Sequence, residues 1–478
     1  MEANEMSRSN PLTLGADREA ALHHTAQIVL RAWKDFDQAR EEEHVPSASL
    51  IARLQEPLPA TGISAMSGLD LAAEVLDTSL AQSRPRYLAY IGSSGLEIGA
   101  LADLLAHSYD VNLALDARAA SLMDHQTLKW LGEFLGFPSG GGAFTSGGTI
   151  SNITALVAAR ERAIPGSRFN GLGSTTPVVY CSADAHYSVR RGIELLGIGS
   201  RNLRGVPIDN ERRLSPTALR DMITSDMASG LTPIAVVATG GTTLIGAVDP
   251  IDAIADICEE FGIWLHIDGA YGLPAAATTE RVSVFSGLAR ADSISIDAHK
   301  WMYVPKACSA VMVRDRNSLV SVFSHEEAYI PHDGAILNAV DYTLEYSRPL
   351  RALKLWLAFM VHGADEFRAA ISQNLQQAQL LYDLADASSH LEVMPIRPSL
   401  SIVPLRAVPS DVPDLNAFNA ALCDAIQADG RVYLSQAVID GEMWLRPCFT
   451  NFRTTQDDVH VTFAVIVELI EKLQSTKE

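Results

Sequence analysis

Between residues 140 and 305, short apolar runs alternate with stretches of helical periodicity, and this alternation limits the possible folds more than any other feature. The runs PVVYCS, IAVVAT, WLHID and SISID each have the length of one strand, and each stops at small or polar residues. Buried strands separated by helices predict an α/β fold with a mainly parallel sheet covered on both faces. Ligands of such sheets bind at the carboxyl ends of the strands.

Two of the predicted strand ends carry ionisable side chains. Asp268 ends the run WLHID, and Lys300 follows the run SISID within the segment DAHKW. Lysine is rare in so apolar a setting because desolvation of its ammonium group is costly. The pair suits a pyridoxal phosphate (PLP) site, in which a lysine forms a Schiff base and an aspartate pairs with the pyridinium nitrogen. A buried ion pair in the core is the alternative interpretation.

A glycine-rich segment, GGGAFTSGGTISN at residues 140–152, opens a predicted helix whose first turn contains Thr149 and Ser151. Glycines let backbone amides approach an anion closely, and the N-terminus of a helix favours negative charge. The segment lacks the lysine of a nucleotide-binding P-loop. It therefore predicts a site for a cofactor phosphate, with a flexible loop as the alternative.

Further residues follow predicted strands in the same way. His186 lies between the run PVVYCS and a helix, where a histidine is often a structural residue or a helix cap. Thr243 follows the run IAVVAT. Gly148, His186, Thr243, Asp268 and Lys300 thus all fall at carboxyl ends of predicted strands, and this convergence favours one shared site.

Composition excludes several classes of function. The 478 residues have a formal net charge of −20 and no basic stripe, which excludes a nucleic-acid partner. No apolar run reaches the roughly 18 residues of a bilayer span, and the N-terminus does not resemble a signal peptide, so we expect no membrane partner and a cytoplasmic location. The five cysteines are scattered, odd in number and without CxxC spacing, a pattern that indicates free thiols in a reducing compartment. They are Cys181, Cys258, Cys308, Cys423 and Cys448. No metal site is predicted.

Three regions are predicted along the chain. Residues 1–83 form an N-terminal helical segment that docks on another surface, either the large domain of this chain or a partner subunit. Residues 84–348 form a large PLP-binding domain, and residues 349–478 a small C-terminal α/β domain. The segment from His325 to Asn338 has no clean periodicity and contains Gly and Pro, which predicts a mobile loop.

Five motifs occur in a fixed order: TSGGT at 145–149, DAH at 184–186, GTT at 241–243, HIDGAYG at 266–272 and DAHKW at 297–301. As a set they resemble the group II PLP-dependent amino-acid decarboxylases, which include the aromatic-L-amino-acid and glutamate decarboxylases. The resemblance runs from about Arg84 to Thr455. It implies the PLP-dependent transferase fold type I, which is aspartate-aminotransferase-like, and a homodimer with its active site at the subunit interface.

The resemblance also implies a role for each matching residue. Lys300 holds PLP as the Schiff base, Asp268 pairs with the ring nitrogen, and His186 stacks over the ring. Ala270 packs beneath the ring. The other implied cofactor contacts are Gly148, Thr149 and His299 at the phosphate, and Thr243.

Tyr329 matches the tyrosine of the family's mobile catalytic loop, which in related dimers reaches the neighbouring subunit's site. This tyrosine can deliver a proton to Cα after CO₂ is lost, which gives an amine. In aldehyde-forming relatives it is replaced, commonly by phenylalanine. The implied activity is therefore that of a carboxy-lyase. Decarboxylation with oxidative deamination to an aldehyde, transamination, and a non-catalytic scaffold of the same fold are the alternatives.

The chain departs from the aromatic decarboxylase pattern at two places that bear on the substrate. Asp-Ala-His replaces Asn-Pro-His before Lys300, and IGSSG replaces FPT after Tyr90. Ser93 is predicted to replace a threonine that faces the substrate. With Tyr87, Tyr90 and Ile91 nearby, an aromatic or other bulky apolar substrate is favoured. Two roles stay open for Arg446: it supports the substrate carboxylate, or it braces a loop.

Overall fold

The computed structural model describes residues 12–39, 41, 45–325 and 338–475. In these ranges the α-helices are α1 (Arg18–Phe36), α2 (Ala48–Leu54), α3 (Ala65–Asp77), α4 (Glu97–Tyr109), α5 (Ala119–Leu135), α6 (Gly148–Ala163), α7 (Ser167–Asn170), α8 (Tyr187–Leu195), α9 (Pro216–Ala228), α10 (Ile251–Phe261), α11 (Asn317–Phe323), α12 (Ala352–Asp386), α13 (Leu415–Asp429) and α14 (Gln456–Ser475). The strands are β1 (Gly141–Thr145), β2 (Pro177–Ser182), β3 (Leu203–Val206), β4 (Thr232–Thr239), β5 (Trp264–Asp268), β6 (Ser293–Asp297), β7 (Ser309–Val313), β8 (Leu391–Val393), β9 (Leu405–Ala407), β10 (Gln436–Ile439) and β11 (Glu442–Leu445).

A seven-stranded sheet with the order β1-β7-β6-β5-β4-β2-β3 forms the larger layer. The pairs β6–β5, β5–β4, β4–β2 and β2–β3 are parallel, whereas β7 is antiparallel to both β1 and β6. All strands of this sheet except β7 therefore run in one direction, and their carboxyl ends meet at one edge. The predicted α/β fold with a mainly parallel sheet is confirmed.

The order of elements differs from the prediction at several places. The strands β1 and β3 and the helix α9 were not predicted. The predicted helix between β5 and β6 is wrong, because this connection consists of short 3₁₀ turns. The prediction failed there because small apolar residues such as those of Leu273–Ala277 fit a tight 3₁₀ turn as well as an α-helix.

A second sheet, with the order β10-β11-β9-β8, is entirely antiparallel and packs with α13 and α14. Helix α12 connects the two layers. This helix is interrupted at Gly363, which has φ 77°. In the first two thirds of α12, Leu355 and Ile371 pack in the core of the larger sheet. In its last third, Leu381 and Ala385 pack in the core of the smaller sheet.

The segment before Tyr90 belongs with the smaller sheet. The backbone of Leu88 donates to the carbonyl of Tyr433 at 2.7 Å and accepts from the amide of Cys448 at 2.9 Å. The Leu88 side chain packs in the core of the smaller sheet. This packing departs from the predicted domain boundary at residue 84, and it places the following residues between the two layers. None of the helices in the described ranges combines the length and apolar character of a bilayer span.

Candidate active site

A cavity of about 370 Å³ opens at the edge where the parallel strands end. This volume is in the range of sites for cofactors and small ligands. Most of the predicted site residues lie on its wall: Tyr90, Gly148, Thr149, His186, Thr243, Asp268, Ala270, Lys300 and Arg446.

Lys300 reaches this cavity from the turn after β6. Its ammonium group lies 2.8 Å from Oδ2 of Asp297, and its side chain keeps 24% of its exposure. Burial alone would raise the pKa of the Asp297 carboxyl, but Lys300, His299 and hydrogen bonds from Lys300 and Ser309 hold this pKa below its usual value. The ion pair considered from the sequence therefore exists, but its carboxylate is Asp297 and not Asp268.

Asp268, at the end of β5, is buried and receives three hydrogen bonds. Its Oδ2 accepts from Nδ2 of Asn152 at 2.8 Å, and its Oδ1 accepts from the amide of Ala270 at 3.2 Å and from Oγ of Ser295 at 3.3 Å. These donors hold the carboxyl group of Asp268 at the cavity wall. It remains available to a cationic partner in the cavity.

The first turn of α6 meets the cavity with backbone amides that no side chain of the described residues caps. The residue before the helix, Gly147, supplies no side-chain cap, and Gly147, Gly148 and Thr149 all line the cavity. A Cβ atom at Gly148 would lie 2.9 Å from Cβ of Ala270, so only glycine fits. Ser151 is occupied elsewhere, because its hydroxyl bonds that of Thr145 at 2.7 Å. Uncapped amides at a helix N-terminus suit an anion.

His186 is both a helix cap and a cavity residue. Its Nδ1 accepts the amide hydrogen of Ser188 and so caps α8, and it also bonds the Ser188 hydroxyl at 2.9 Å. Burial lowers the pKa of His186 below its ordinary value. The structural interpretation of this histidine and the interpretation as a site residue are therefore compatible.

Tyr90 and Arg446 form one unit on the wall of the cavity. Tyr90 has φ 57°, a left-handed conformation that is unusual for a bulky residue. Its amide donates to Oγ of Ser435 at 3.2 Å, and its carbonyl accepts from Nη2 of Arg446 at 2.9 Å. The other Nη of Arg446 donates to the carbonyl of Thr243 at 2.8 Å. Arg446 therefore braces two segments of the cavity wall.

Ser93 does not lie on this wall. It is buried, and its hydroxyl donates to the carbonyl of Val304 at 3.1 Å, so the prediction that it faces the substrate is corrected. Tyr87 is likewise a core residue, since its ring stacks on that of Tyr433 with centroids 5.2 Å apart. Of the apolar residues considered from the sequence, Tyr90 and Ile91 reach the cavity.

The predicted roles of two other residues, His299 and Tyr329, stay predictions. Nε2 of His299 lies 3.9 Å from Oδ2 of Asp297, and its Nδ1 faces the backbone of Cys308, so a position beside a phosphate stays a prediction. Tyr329 and most of the predicted mobile loop lie outside the described residues.

Sequence reasoning missed several residues at the cavity, among them Asn152, Ser188 and Thr239. Asn152 lies one helical turn after Gly148, and this spacing was the available signal. Thr239 is buried, and its hydroxyl has no hydrogen-bond partner among the described residues. A buried hydroxyl without a partner on a cavity wall fits a polar group of a bound ligand.

A family model of the pyridoxal-dependent decarboxylase conserved domain matches residues 69–408. The chain belongs to the pyridoxal-dependent decarboxylases. An aromatic-L-amino-acid decarboxylase of Bacillus atrophaeus is 31% identical over 479 residues, which cover 97% of this chain and 98% of the relative. A phenylacetaldehyde synthase of Petunia hybrida is 29% identical, with 76% of each chain covered.

The fold of this decarboxylase matches those of solved relatives. The crystal structure of Oryza sativa TDC with PLP and tryptamine superposes with a TM-score of 0.90 at 24% identity, covering 97% of this chain and 99% of that one. The expected fold type I is confirmed. The protein is an enzyme, a PLP-dependent amino-acid decarboxylase, and PLP is its cofactor.

The cavity of the decarboxylase fits this cofactor in three respects. Free amides at the start of α6 suit the phosphate, the Asp268 carboxylate suits the ring nitrogen, and the unpartnered Thr239 hydroxyl suits a polar ring substituent. Lys300 reaches the same cavity with its amine. The charges and hydrogen-bonding groups of the wall therefore match those of PLP.

Proposed function

We propose that the protein converts an L-amino acid with an aromatic or other bulky apolar side chain into the corresponding amine and CO₂. The observation that carries this proposal is the meeting of Lys300, Asp268 and His186 in one cavity that Tyr90 and Ile91 also line. The name of the Bacillus atrophaeus relative, an aromatic-L-amino-acid decarboxylase, supports the choice of substrate class.

Each residue has one task in this reaction. When bound, PLP accepts the electron pair that departing CO₂ leaves at Cα. Asp268 stabilises a proton on the ring nitrogen by its negative charge in a buried site. Lys300 would hold the cofactor through its side-chain amine. His186 packs against the ring and helps to orient the substrate, and Tyr329 supplies the proton to Cα.

A homodimer with the active site at the subunit interface is part of the proposal. Helix α4 exposes Leu101, Leu104 and Leu105 on one side and Tyr109 at its end. An apolar stripe of this kind on a folded chain is typical of a protein interface. We also place the enzyme in the cytoplasm, because all five cysteines are buried free thiols, as in proteins of reducing compartments.

A screen of the common amino acids tests the reaction. We expect CO₂ and one amine to be released in equal amounts, with no peroxide and no ammonia, and aromatic substrates to give the highest kcat/KM. Aldehyde with peroxide would favour the oxidative alternative, to which the similarity with phenylacetaldehyde synthase of Petunia hybrida gives some weight. No turnover of any amino acid, despite bound PLP, would favour the non-catalytic scaffold.

Tyr329→Phe is expected to preserve PLP binding and to divert the product from amine toward aldehyde, because phenylalanine has no proton to deliver to Cα. Amine, aldehyde and peroxide are measured for both proteins. An unchanged amine yield would show that another group protonates Cα.

The same variant tests the shared site when it is combined with Lys300→Ala in mixed dimers. If Tyr329 acts on the neighbouring subunit, one site of each mixed dimer contains both Lys300 and Tyr329, and amine formation returns. If it acts within its own subunit, no site contains both and the mixture stays without amine-forming activity. The two variants assayed separately serve as controls.

A further inference from the structure

A continuous chain of buried hydrogen bonds connects Trp264 to His186 beneath the cavity. Nε1 of Trp264 lies 2.8 Å from Oγ of Ser293, which lies 2.8 Å from Nδ1 of His266. Nε2 of His266 lies 3.0 Å from Oδ1 of Asn152. All four side chains are buried away from water. Each of their N–H and O–H groups therefore needs an acceptor within this series of hydrogen bonds.

The chain continues through Asn152 to the two site residues. Nδ2 of Asn152 donates to Oδ2 of Asp268 at 2.8 Å and to Oγ of Ser188 at 2.9 Å. Oγ of Ser188 in turn lies 2.9 Å from Nδ1 of His186. One amide group on α6 therefore joins the carboxylate at the end of β5 to the histidine before α8.

The direction of every hydrogen in this chain follows from its two ends. An indole nitrogen only donates, so the Ser293 hydroxyl accepts from Trp264 and can give its own hydrogen to His266. Burial lowers the pKa of His266 to about 4, so this ring is neutral, accepts at Nδ1 and donates from Nε2 to Asn152.

At the other end, the Asp268 carboxylate only accepts, which fixes the amide group of Asn152. Its Nδ2 then gives its second hydrogen to Ser188. The Ser188 hydroxyl, already an acceptor, gives its hydrogen to Nδ1 of His186. The backbone amide of Ser188 also points at this nitrogen, at 3.3 Å.

We propose that Asn152 and Ser188 are positioning residues that hold His186 neutral, with its hydrogen on Nε2, through a one-way chain of hydrogen bonds that begins at Trp264. A proton on Nδ1 would leave the Ser188 hydroxyl hydrogen without its acceptor. The inference rests on the proposed function, in which His186 packs against the cofactor ring. A neutral imidazole there avoids repulsion with the protonated ring that Asp268 maintains.

The charged groups around His186 do not impose this state by themselves. Asp268 and Asp297 favour its protonated form, whereas Lys300 and Arg191 oppose it. Because these charges oppose one another, burial is the largest cause of the lowered pKa of His186, and the hydrogen bonds donated to Nδ1 act in the same direction.

The test measures the pKa of His186 by exchange of its ring C–H hydrogen for deuterium at a series of pH values, followed by peptide mass spectrometry. Ser188→Ala is expected to raise the pKa by about half to one unit, because one donor to Nδ1 is lost and the backbone donor remains. Asn152→Asp is expected to raise it by more than about one unit, because a carboxylate would draw the Ser188 hydrogen away. Ser295→Ala is the matched control, since it removes another donor to Asp268 and should leave the pKa of His186 unchanged.

The same variants have a second measure in the PLP-loaded enzyme, where the acid limb of the kcat profile should move to higher pH together with the pKa of His186. An unchanged pKa in both Ser188→Ala and Asn152→Asp, or an equal rise in Ser295→Ala, would overturn the inference. Failure of the proposed function is distinguishable, because it would show as absent PLP binding or turnover, whereas histidine exchange is read in the full chain without either.

Discussion

Lys300→Ala is expected to abolish the visible absorption of lysine-bound PLP and to lower the rate of CO₂ release by at least about 10⁴-fold. The reason is geometric, because Lys300 is the lysine on the wall of the described cavity. Alanine at this position leaves the phosphate and ring contacts in place but removes the amine that bonds the cofactor. Absorption spectra recorded after addition of PLP, together with CO₂ release, measure both effects.

Lys306→Ala is the matched control for this variant. Lys306 lies six residues further on, and its ammonium group donates to Oε1 of Gln82 at 2.6 Å. It does not line the cavity, so its removal should leave the absorption band intact. A normal band in Lys300→Ala, or loss of the band only in Lys306→Ala, would show that the lysine assignment is wrong.

Asp268→Asn is expected to keep PLP bound through Lys300 and to lower kcat by about a hundredfold to a thousandfold. Asparagine has nearly the same shape, but it lacks the negative charge that favours a protonated ring nitrogen in a buried site. The loss should fall on kcat and not on the amount of bound cofactor, which separates an electrostatic role from a binding role. Steady-state kinetics and absorption spectra of the same preparation provide both numbers.

Asp297→Asn provides the comparison, because it also neutralises a buried aspartate at the end of a neighbouring strand. It introduces the asparagine that the aromatic decarboxylase pattern has at this position, and it removes the ion pair with Lys300. We expect its kcat to stay within about tenfold of the original, which corresponds to roughly 1.4 kcal/mol. If Asp297→Asn proved far more damaging than Asp268→Asn, the roles of the two carboxylates would have to be exchanged.

The parts of the fold that follow from local pattern were predictable from the sequence. The strands β2, β5 and β6 are apolar runs that end where the side chains become polar, and the break in α12 follows from Gly363. The strand β1 was missed because its glycines were interpreted as a loose turn. In the structure they allow close packing, since a Cβ atom at Gly142 would lie 2.3 Å from the carbonyl oxygen of Val311.

Interactions that depend on tertiary packing were not predictable in the same way. The sequence pattern at 400–407 is that of one strand, but only Leu405–Ala407 forms β9. The neighbouring β11 pairs with it through a single residue, Leu445. Asn152 likewise gains its importance from contacts with residues more than a hundred positions away, His266 and Asp268. Ser93 was misplaced because its partner, the carbonyl of Val304, is more than two hundred positions away in the chain.

Reduction of the PLP-loaded protein with sodium borohydride, followed by proteolysis and peptide mass spectrometry, tests the central claim most directly. Borohydride turns the bond between lysine and cofactor into a stable amine and so records which lysine holds PLP. The account predicts one phosphopyridoxyl group per chain, on Lys300. An unmodified Lys300, with the label on other lysines, would contradict it.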